Sequence, residues 1–386
     1  MTNVKIGIIG IGNMGSAHAQ SLIKGEIPGA ELTAVCDLNP ARLTWAKETL
    51  GDQVLLFEQP EDLFKSGTID AVIIATPHYD HPTLAIKGFE HNLHVLIEKP
   101  AGVFTKKVRE MNEVAKKSDR VFGIMYNQRT NPLYQKLKDL IESGELGEIK
   151  RTNWIITSWY RSQSYYNSGG WRATWAGEGG GVLLNQDPHQ LDLWQWMCGM
   201  PVRVHAFCGF GKYHDIEVED DVTAYVEYAN GATGVFVTST SDTPGTNRLE
   251  VSGDRGKIVI EDDKLTFWRN RVPERQFNAE YTGGFGNPEC WKCEIPIYGS
   301  NLQHVGILRN WVDAILKGTP LLAPGEDGIK GLTISNAMHL SAWTNQTIEL
   351  PLNEDLYYEL LQERIKESSY QKPNANGKTM DVKGTF

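Results

Sequence analysis

Residues 4–15 read Val-Lys-Ile-Gly-Ile-Ile-Gly-Ile-Gly-Asn-Met-Gly, and this stretch decides the fold. Its first half is a β-branched apolar run of the kind that forms a strand buried on both faces. The run ends in Gly10-x-Gly12-x-x-Gly15, and a helical pattern opens directly after it. In such a unit the first glycine makes a tight turn, the second lets the backbone approach a pyrophosphate, and the third lets helix and strand pack closely. The stretch therefore predicts a dinucleotide-binding βαβ unit, because the start of the helix offers free N–H groups and a positive dipole to phosphates.

An acidic residue after the next strand bears on which dinucleotide binds. A strand predicted over Glu31–Cys36 ends at Asp37, where a carboxylate can accept hydrogen bonds from the adenosine ribose. The same carboxylate would repel a 2′-phosphate, so the sequence favours NAD over NADP. Arg42 lies five residues further on and could hold such a phosphate. The alternative interpretation of Arg42 is a solvated residue in the first turn of a helix.

Length and composition narrow the class of protein. A chain of 386 residues exceeds the usual single domain, so two domains are expected. The 38 basic and 48 acidic residues give a net charge of −10, which argues against nucleic acid or an anionic membrane as the main partner. No basic segment precedes the first apolar run and no stretch is long enough to span a bilayer, so we expect neither a signal peptide nor a membrane span.

The cysteines favour a reducing compartment. Five cysteines at irregular spacing suit the cytoplasm better than a disulfide scaffold. Cys290 and Cys293 have the spacing of half a metal or redox site, but no second pair is visible. We therefore predict a loop at this place, no metal site, and a cytoplasmic protein.

The pattern of elements divides the chain into two parts. Strands and helices alternate over the first 125 or so residues, which predicts a Rossmann domain over residues 1–126: α/β, with a doubly wound parallel sheet. Residues 127–370 are predicted to form an α+β domain with a mostly antiparallel open sheet for substrate binding and oligomerisation. Asn230-Gly231 between two alternating runs predicts a hairpin there. Helices within residues 303–345 are expected to pack back across the domains, and residues 371–386 to form a polar tail.

Two strand ends in the first domain carry polar residues that point to the cofactor cleft. Thr76-Pro77 closes the fourth predicted strand and Glu98-Lys99-Pro100 closes the fifth. Ligands of a doubly wound sheet bind outside the carboxyl ends of its strands. Pro100 restricts the backbone of Lys99, so this lysine is a candidate for polarising or protonating a substrate oxygen. Its alternative interpretation is a surface charge.

Together these motifs resemble the Gfo/Idh/MocA family of sugar oxidoreductases. The resemblance covers nearly the whole chain and includes Tyr126-Asn127-Gln128-Arg129, Trp171-Arg172, Gly179-Gly180-Gly181 and Pro324–Gly328. It implies that Lys99 is the catalytic lysine. It also implies that Glu98, Asn127, Trp171 and Arg172 line the nicotinamide side of the cleft.

A second family motif spans Gly181 to Asp192 and contains Asn185, Pro188 and His189. Asn185 and His189 are four residues apart, which places them on one face of a helix. Pro188 either kinks this helix or starts a new one with Asp187 as its N-cap. The family pattern has Asp where this chain has Asn185, which puts a carboxylate-assisted mechanism in doubt. We therefore assign catalysis to His189 as acid/base, Lys99 as its helper and Asn185 as locator of the substrate hydroxyl; a structural histidine is the alternative for His189.

Aromatic and arginine residues just before this motif indicate a sugar-binding loop. Aromatic rings stack on sugar faces while arginines and histidines bind hydroxyls; a core strand is the alternative. The predicted substrate-binding residues are Lys99, Tyr160, Arg161, Trp175, Asn185 and His189. The predicted cofactor-binding residues are Gly10, Gly12, Asn13, Met14, Asp37, Arg42, Thr76, Pro77, His81, Glu98, Lys99, Asn127, Trp171 and Arg172.

The predicted function is that of an NAD-dependent dehydrogenase. The second motif and the aromatic loop resemble the family's subgroup of glucoside 3-dehydrogenases and levoglucosan dehydrogenases, which implies oxidation of a glucose-like sugar, glycoside or anhydrosugar at C3. Three alternatives stay open: an inositol dehydrogenase, an NAD-dependent enzyme that cleaves glycosides through transient oxidation, and a catalytically silent NAD-bound regulator. We expect a homo-oligomer, dimer or tetramer, formed through the C-terminal sheet.

Overall fold

The first of two sheets is a parallel one of six strands. The computed structural model describes residues 3–369, and in it the strands of this sheet lie in the order β3-β2-β1-β4-β5-β6. The strands are β1 (Val4–Ile9), β2 (Ala30–Cys36), β3 (Leu55–Phe57), β4 (Ala71–Ile74), β5 (His94–Ile97) and β6 (Phe122–Ile124). All their pairings are parallel. The strand order reverses between β1 and β4, which creates the crevice where doubly wound sheets bind ligands.

Helices cover this parallel sheet and follow its strands in sequence. They are α1 (Asn13–Ile23), α2 (Pro40–Leu50), α3 (Pro60–Lys65), α4 (Asp80–Glu90) and α5 (Thr105–Lys116). Ile6 and Ile8 of β1 are fully buried, as the apolar run predicted. The predicted α/β fold of this part of the chain is confirmed.

The second sheet has nine strands and is mostly antiparallel. Its order is β14-β13-β12-β11-β7-β10-β9-β8-β15, and only β7 and β10 pair in parallel. The strands are β7 (Ile149–Ile156), β8 (Arg203–Phe210), β9 (Glu219–Glu227), β10 (Thr233–Ser239), β11 (Asn247–Gly253), β12 (Gly256–Glu261), β13 (Lys264–Asn270), β14 (Cys290–Glu294) and β15 (Ile348–Glu349). β9 and β10 form the hairpin that Asn230-Gly231 predicted.

The remaining helices leave one face of the second sheet open. They are α6 (Pro132–Glu142), α7 (Gln163–Asn167), α8 (Val182–Asn185), α9 (Pro188–Cys198), α10 (Glu274–Glu280), α11 (Gln303–Lys317), α12 (Gly328–Thr344) and α13 (Glu354–Glu367). On the covered face Trp154, Trp194 and Phe236 form part of a buried core. On the other face Ile155 of β7, Phe207 of β8 and Tyr225 of β9 are exposed; β8 and β9 are neighbours, and β10 lies between β9 and β7. The predicted mostly antiparallel open sheet is confirmed.

Helix α11 packs against the first sheet at β6. A Cβ on Gly123 of β6 would lie only 3.2 Å from the ring of Trp311 of α11, so the absence of a side chain at Gly123 lets the helix pack closely.

The prediction of a loop at Cys290 and Cys293 was wrong. Both residues belong to the edge strand β14, because residues 290–294 pair with β13. Among the helices of residues 3–369, none is long and apolar enough to cross a membrane. The predicted polar tail, 371–386, lies outside the described residues.

Candidate functional site

The glycine loop connects β1 to α1 and has room for a pyrophosphate. Gly10 has φ of +84°, and a Cβ on it would meet the carbonyl oxygen of Ala75 at 2.7 Å. A Cβ on Gly15 would overlap the carbonyl oxygen of Gly10. Above Gly12, by contrast, no atom of the described chain lies within 4 Å of a built Cβ. The space above Gly12 and the close helix–strand contact at Gly15 are what a bound dinucleotide requires.

Asp37 and Arg42 hold this loop in place. One carboxylate oxygen of Asp37 accepts the backbone N–H of Ile11 at 2.9 Å, and the other accepts that of Asn39 at 2.9 Å. Arg42 Nε donates to the carbonyl oxygen of Ile11 at 2.7 Å, and its guanidinium also donates to Ser16. Burial lowers the pKa of Arg42, and the charge of Asp37 opposes that shift. Arg42 is therefore half-buried against the glycine loop and is not a solvated first-turn residue.

Residues after β4 and in α1 form the neighbouring wall of the cleft. The buried hydroxyl of Thr76 has no hydrogen-bond partner within residues 3–369, and Pro77 follows it. The ring nitrogens of His81 lie 2.7 Å and 2.8 Å from the carbonyl oxygens of Pro100 and Thr76, so this side chain connects the two strand-end segments. Asn13 opens α1, and Met14 lines a cavity of about 200 Å³ together with His18, Gln303 and His304.

Glu98 is held by a histidine that the sequence did not reveal as a site residue. His18 Nε2 lies 2.7 Å from Glu98 Oε1, and both side chains are buried. Burial by itself would raise the pKa of Glu98, but the hydrogen bond from His18 and the charges of His18, His304 and Lys99 together outweigh it and lower this pKa to about 2. Glu98 is therefore a fixed negative charge directly beside Lys99.

Lys99 spans the cleft and contacts the second motif. Its Nζ donates to the backbone carbonyl of Asn185 at 2.8 Å, and the bond between Lys99 and Pro100 is cis. Burial lowers the pKa of Lys99 from 10.5 to about 8, although the charge of Glu98 acts in the opposite direction. A lysine with this pKa can both donate and accept a proton near neutral pH.

Asn185 and His189 lie on consecutive short helices. Asn185 ends α8, and Pro188 occupies the first turn of α9 with Asp187 as N-cap, so the second alternative for Pro188 holds. In the described part of the chain neither ring nitrogen of the buried His189 has a hydrogen-bond partner. Burial, reinforced by the charge of Lys99, holds the pKa of His189 well below its usual value. His189 is therefore a neutral imidazole with both nitrogens available to a ligand.

Glu178 is a second site residue that the sequence did not reveal. Its Oε1 accepts a hydrogen bond from Asn185 Nδ2 and lies 3.9 Å from the guanidinium of Arg172. The side chain is only 2% exposed, and burial raises its pKa. The structure thus contains a carboxylate beside Asn185, where the family pattern has one at position 185 itself. Its position immediately before Gly179-Gly180-Gly181 was the available signal.

The aromatic loop is divided between the cleft and the core. Arg172 donates to the hydroxyl of Tyr165 at 2.8 Å and also lies over the ring of Trp171. Arg161 lies over the ring of Tyr165. Tyr160 is 51% exposed. The ring of Trp175 packs among Phe210, His339 and Trp343, and it therefore belongs to the aromatic core.

Arg129 fixes the second motif against the rest of the fold. Asp192 of α9 receives two hydrogen bonds from Arg129, at 2.7 Å and 2.8 Å, and Arg129 also pairs with Asp327 at 2.9 Å. Asn127 is fully buried, and its amide contacts Gln303 at the start of α11. Buried, bidentate pairs of this kind define orientation strictly, so α9 presents His189 in a defined position.

Fold and site together define an NAD-binding oxidoreductase of two domains. Residues 4–126 match the family model described as oxidoreductase family, NAD-binding Rossmann fold, and residues 134–259 match the model of the GFO/IDH/MocA C-terminal domain. The chain belongs to the Gfo/Idh/MocA family, whose sugar and inositol dehydrogenases are its relatives.

Two curated relatives cover almost the whole chain. The chain is 25% identical over 355 residues to myo-inositol 2-dehydrogenase of Thermotoga maritima, covering 90% of this chain and 98% of that protein. It is 25% identical over 394 residues to levoglucosan dehydrogenase of Pseudarthrobacter phenanthrenivorans, covering 91% and 99%.

Solved structures share the fold. The WlbA dehydrogenase from Bordetella pertussis, in complex with NADH and UDP-GlcNAcA, has a TM-score of 0.77 at 24% identity and covers 91% of this chain and 100% of its own. Levoglucosan dehydrogenase in complex with NADH and levoglucosan has a TM-score of 0.75 at 21% identity and covers 91% and 100%.

Proposed function

We propose that this protein oxidises a secondary hydroxyl of a glucose-like sugar, glycoside or anhydrosugar to a ketone, with C3 as the reacting carbon. The observation that carries the proposal is the contact between Lys99 and Asn185 of the second motif. In the same motif neutral His189 has no hydrogen-bond partner among residues 3–369 for either ring nitrogen. A buried imidazole without partners is costly unless a ligand completes its hydrogen bonds. A substrate hydroxyl is such a ligand.

The chain's own residues supply the proton transfer and the charge stabilisation. The glycine loop of Gly10, Gly12 and Gly15 would hold NAD, which would supply the hydride acceptor for the carbinol carbon. His189 is neutral because burial lowers its pKa, so it can take the hydroxyl proton. Lys99 in its protonated form donates to the oxygen as negative charge develops on it. Asn185 contacts Lys99 and Glu178 and binds a neighbouring hydroxyl.

The neighbouring side chains suit a pyranose with hydroxyls on both sides of the reacting carbon. Arg172 and Arg161 lie over the ring of Tyr165, so their guanidinium groups form one edge of the site and Asn185 another. Binding both neighbouring hydroxyls would fix the C–H bond, and positioning of this kind contributes several kcal/mol to catalysis. The levoglucosan dehydrogenase relative, which covers 91% of this chain, supports a glucose-like or anhydrosugar substrate.

An inositol is the second candidate substrate. The relative from Thermotoga maritima is named for oxidation of myo-inositol at position 2, and it aligns over 90% of this chain. An inositol offers the same row of ring hydroxyls to Lys99, Asn185 and His189. It lacks the ring oxygen and anomeric carbon of a sugar, so product analysis separates the two.

The test is a panel of glucosides, 1,6-anhydroglucose, free sugars and inositols with NAD, followed by NADH absorbance and NMR of the products. A 3-keto product from a glucoside or anhydrosugar is expected. A lactone, which marks oxidation at C1, or a clear preference for an inositol would reject the substrate proposal. Cleavage of a glycoside without net NADH would instead support the glycoside-cleaving alternative.

The proposal extends to domain roles, assembly and location. We assign NAD binding to residues 1–126 and substrate binding and oligomerisation to residues 127–370. The exposed face of the second sheet carries Phe207, which is 64% exposed, beside Tyr225 and Ile155. An apolar face of this kind favours a dimer or tetramer, and light scattering of wild type and Phe207→Lys tests it. The five cysteines are free, as expected in the cytoplasm.

A further inference from the structure

The side-chain amide of Asn185 has a defined orientation because its partner is a carboxylate. Asn185 Nδ2 donates to Oε1 of Glu178. The other oxygen of Glu178 accepts the backbone N–H of Ala173 at 2.6 Å. Both oxygens of Glu178 thus accept N–H groups, and Asn185 turns its NH₂ group toward Glu178. Oδ1 then points away from Glu178 and is the acceptor that the amide offers to a ligand.

The same residue is held from its backbone side. The carbonyl oxygen of Asn185 accepts from Lys99 Nζ at 2.8 Å, so Asn185 lies between the lysine and the carboxylate. Glu178 is nearly inaccessible, and Arg172 lies 3.9 Å from the oxygen that binds Asn185. These contacts hold Glu178 against the NH₂ group of Asn185 and leave Oδ1 of Asn185 as a directed acceptor.

We propose that Glu178 is a positioning residue that acts through Asn185 and fixes Oδ1 as the acceptor for a donor hydroxyl of the substrate. The proposal rests on the proposed function and adds one requirement for the substrate. The hydroxyl bound at Oδ1 of Asn185 must donate a hydrogen bond. Glu178 thereby supplies, seven residues earlier in the chain, the carboxylate that position 185 lacks. A substrate analogue with a methoxy group or hydrogen in place of that hydroxyl is bound less well, because it cannot donate.

Exchanging the two side-chain types provides the test. In Glu178→Gln, the single amide oxygen of Gln can accept from the N–H of Ala173 only if its NH₂ group faces Asn185. The amide of Asn185 must then turn its oxygen toward residue 178 or lose this hydrogen bond. In Asn185→Asp, two carboxylates face each other. In the double variant, the Gln side chain accepts from Ala173 and donates to the new carboxylate, whose second oxygen again faces the substrate as an acceptor.

The expected result is a selective loss followed by rescue. Each single variant should lower kcat/KM for the sugar about 10- to 100-fold, mainly through KM, with unchanged affinity for NADH. The double variant should recover most of this loss. Glu148→Gln is the matched control, since Glu148 accepts from the side-chain amide of Asn230 in the same way at the exposed surface. This control should leave kinetics unchanged.

A role of Glu178 only in holding Ala173 predicts the opposite result. The losses of kcat/KM from the two substitutions then add, and the double variant has a lower kcat/KM than either single variant. That outcome, or a Glu178→Gln variant with wild-type KM, overturns the proposal.

A measurement without turnover separates this inference from the proposed function. In protein labelled with ¹⁵N at asparagine, the side-chain N–H of residue 185 should resonate downfield as a donor to a carboxylate and move upfield in Glu178→Gln. A downfield resonance in a protein that oxidises no sugar or inositol would reject the proposed function and retain the pair. Sugar oxidation with an unshifted resonance would reject the pair and retain the function.

Discussion

Replacing Lys99 by methionine should stabilise the protein while it removes catalysis. The pKa of this lysine falls from 10.5 in an exposed chain to about 8 in the fold because the ammonium is buried. The unfolded state therefore binds more protons between these pH values, and below pH 8 the burial penalty is fully present. The difference between a pKa of 10.5 and one of about 8 corresponds to about 3 kcal/mol. The lost hydrogen bond to Asn185 offsets about 1 kcal/mol of this.

The expected free energy of unfolding of Lys99→Met at pH 7 is therefore about 2 kcal/mol higher than that of wild type. Wild-type stability should rise between about pH 8 and about pH 10.5 through loss of this penalty, and the variant should lack that rise. Turnover should fall about 10²- to 10³-fold, because one donor to the developing oxyanion is gone. In wild type, kcat/KM should decline above about pH 8 as Lys99 loses its proton.

Urea unfolding at pH 7 and pH 10 measures the stability, NADH production measures turnover, and quenching of protein fluorescence by NADH checks that the cofactor still binds. Lys106→Met, at an exposed lysine that pairs with Asp355, is the control for removal of a positive charge. A Lys99→Met variant that is less stable than wild type at pH 7, or that keeps normal turnover, would refute the burial argument or the catalytic role respectively.

Three further substitutions test the cofactor loop and the support of the second motif. Gly12→Ala should leave the melting temperature unchanged but weaken NAD at least about tenfold, since its Cβ meets only the space assigned to the pyrophosphate; equal NAD affinity by calorimetry would contradict this. Asp37→Ala should lower the ratio of kcat/KM for NAD over NADP, and an unchanged ratio would contradict a contact between Asp37 and the ribose. Arg129→Met should cost about 3–5 kcal/mol in urea unfolding, because Asp192 is left as a buried charge without its bidentate partner; a loss below about 1 kcal/mol would show that the pair contributes little.

The pattern of the sequence was sufficient for the fold. Alternation of apolar runs with helical stretches, the glycine spacing and Asn230-Gly231 depend on backbone geometry within a few residues. The six parallel strands, the β9–β10 hairpin and α11 are found where these patterns predicted them. The loop prediction at Cys290 and Cys293 was wrong, because this edge strand is largely exposed and has no apolar alternation that would mark it as a strand.

The candidate site could be predicted only in part. Lys99, Asn185 and His189 were expected together, and Lys99 contacts Asn185 across 86 positions of the chain. The partners of these residues were not predicted. Glu178 faces Asn185 although the two are seven residues apart, because Gly179, with φ of +81°, turns the chain between them.

The sequence by itself determined the two-sheet architecture and the glycine loop, because local periodicity and strand ends decide them. The tertiary structure alone decided the charge state and direction of those residues. It placed Glu178 on the amide of Asn185, His18 on Glu98, and Trp175 in the aromatic core. Burial and hydrogen-bond partners come from segments far apart in the chain, and these set pKa values and side-chain orientation.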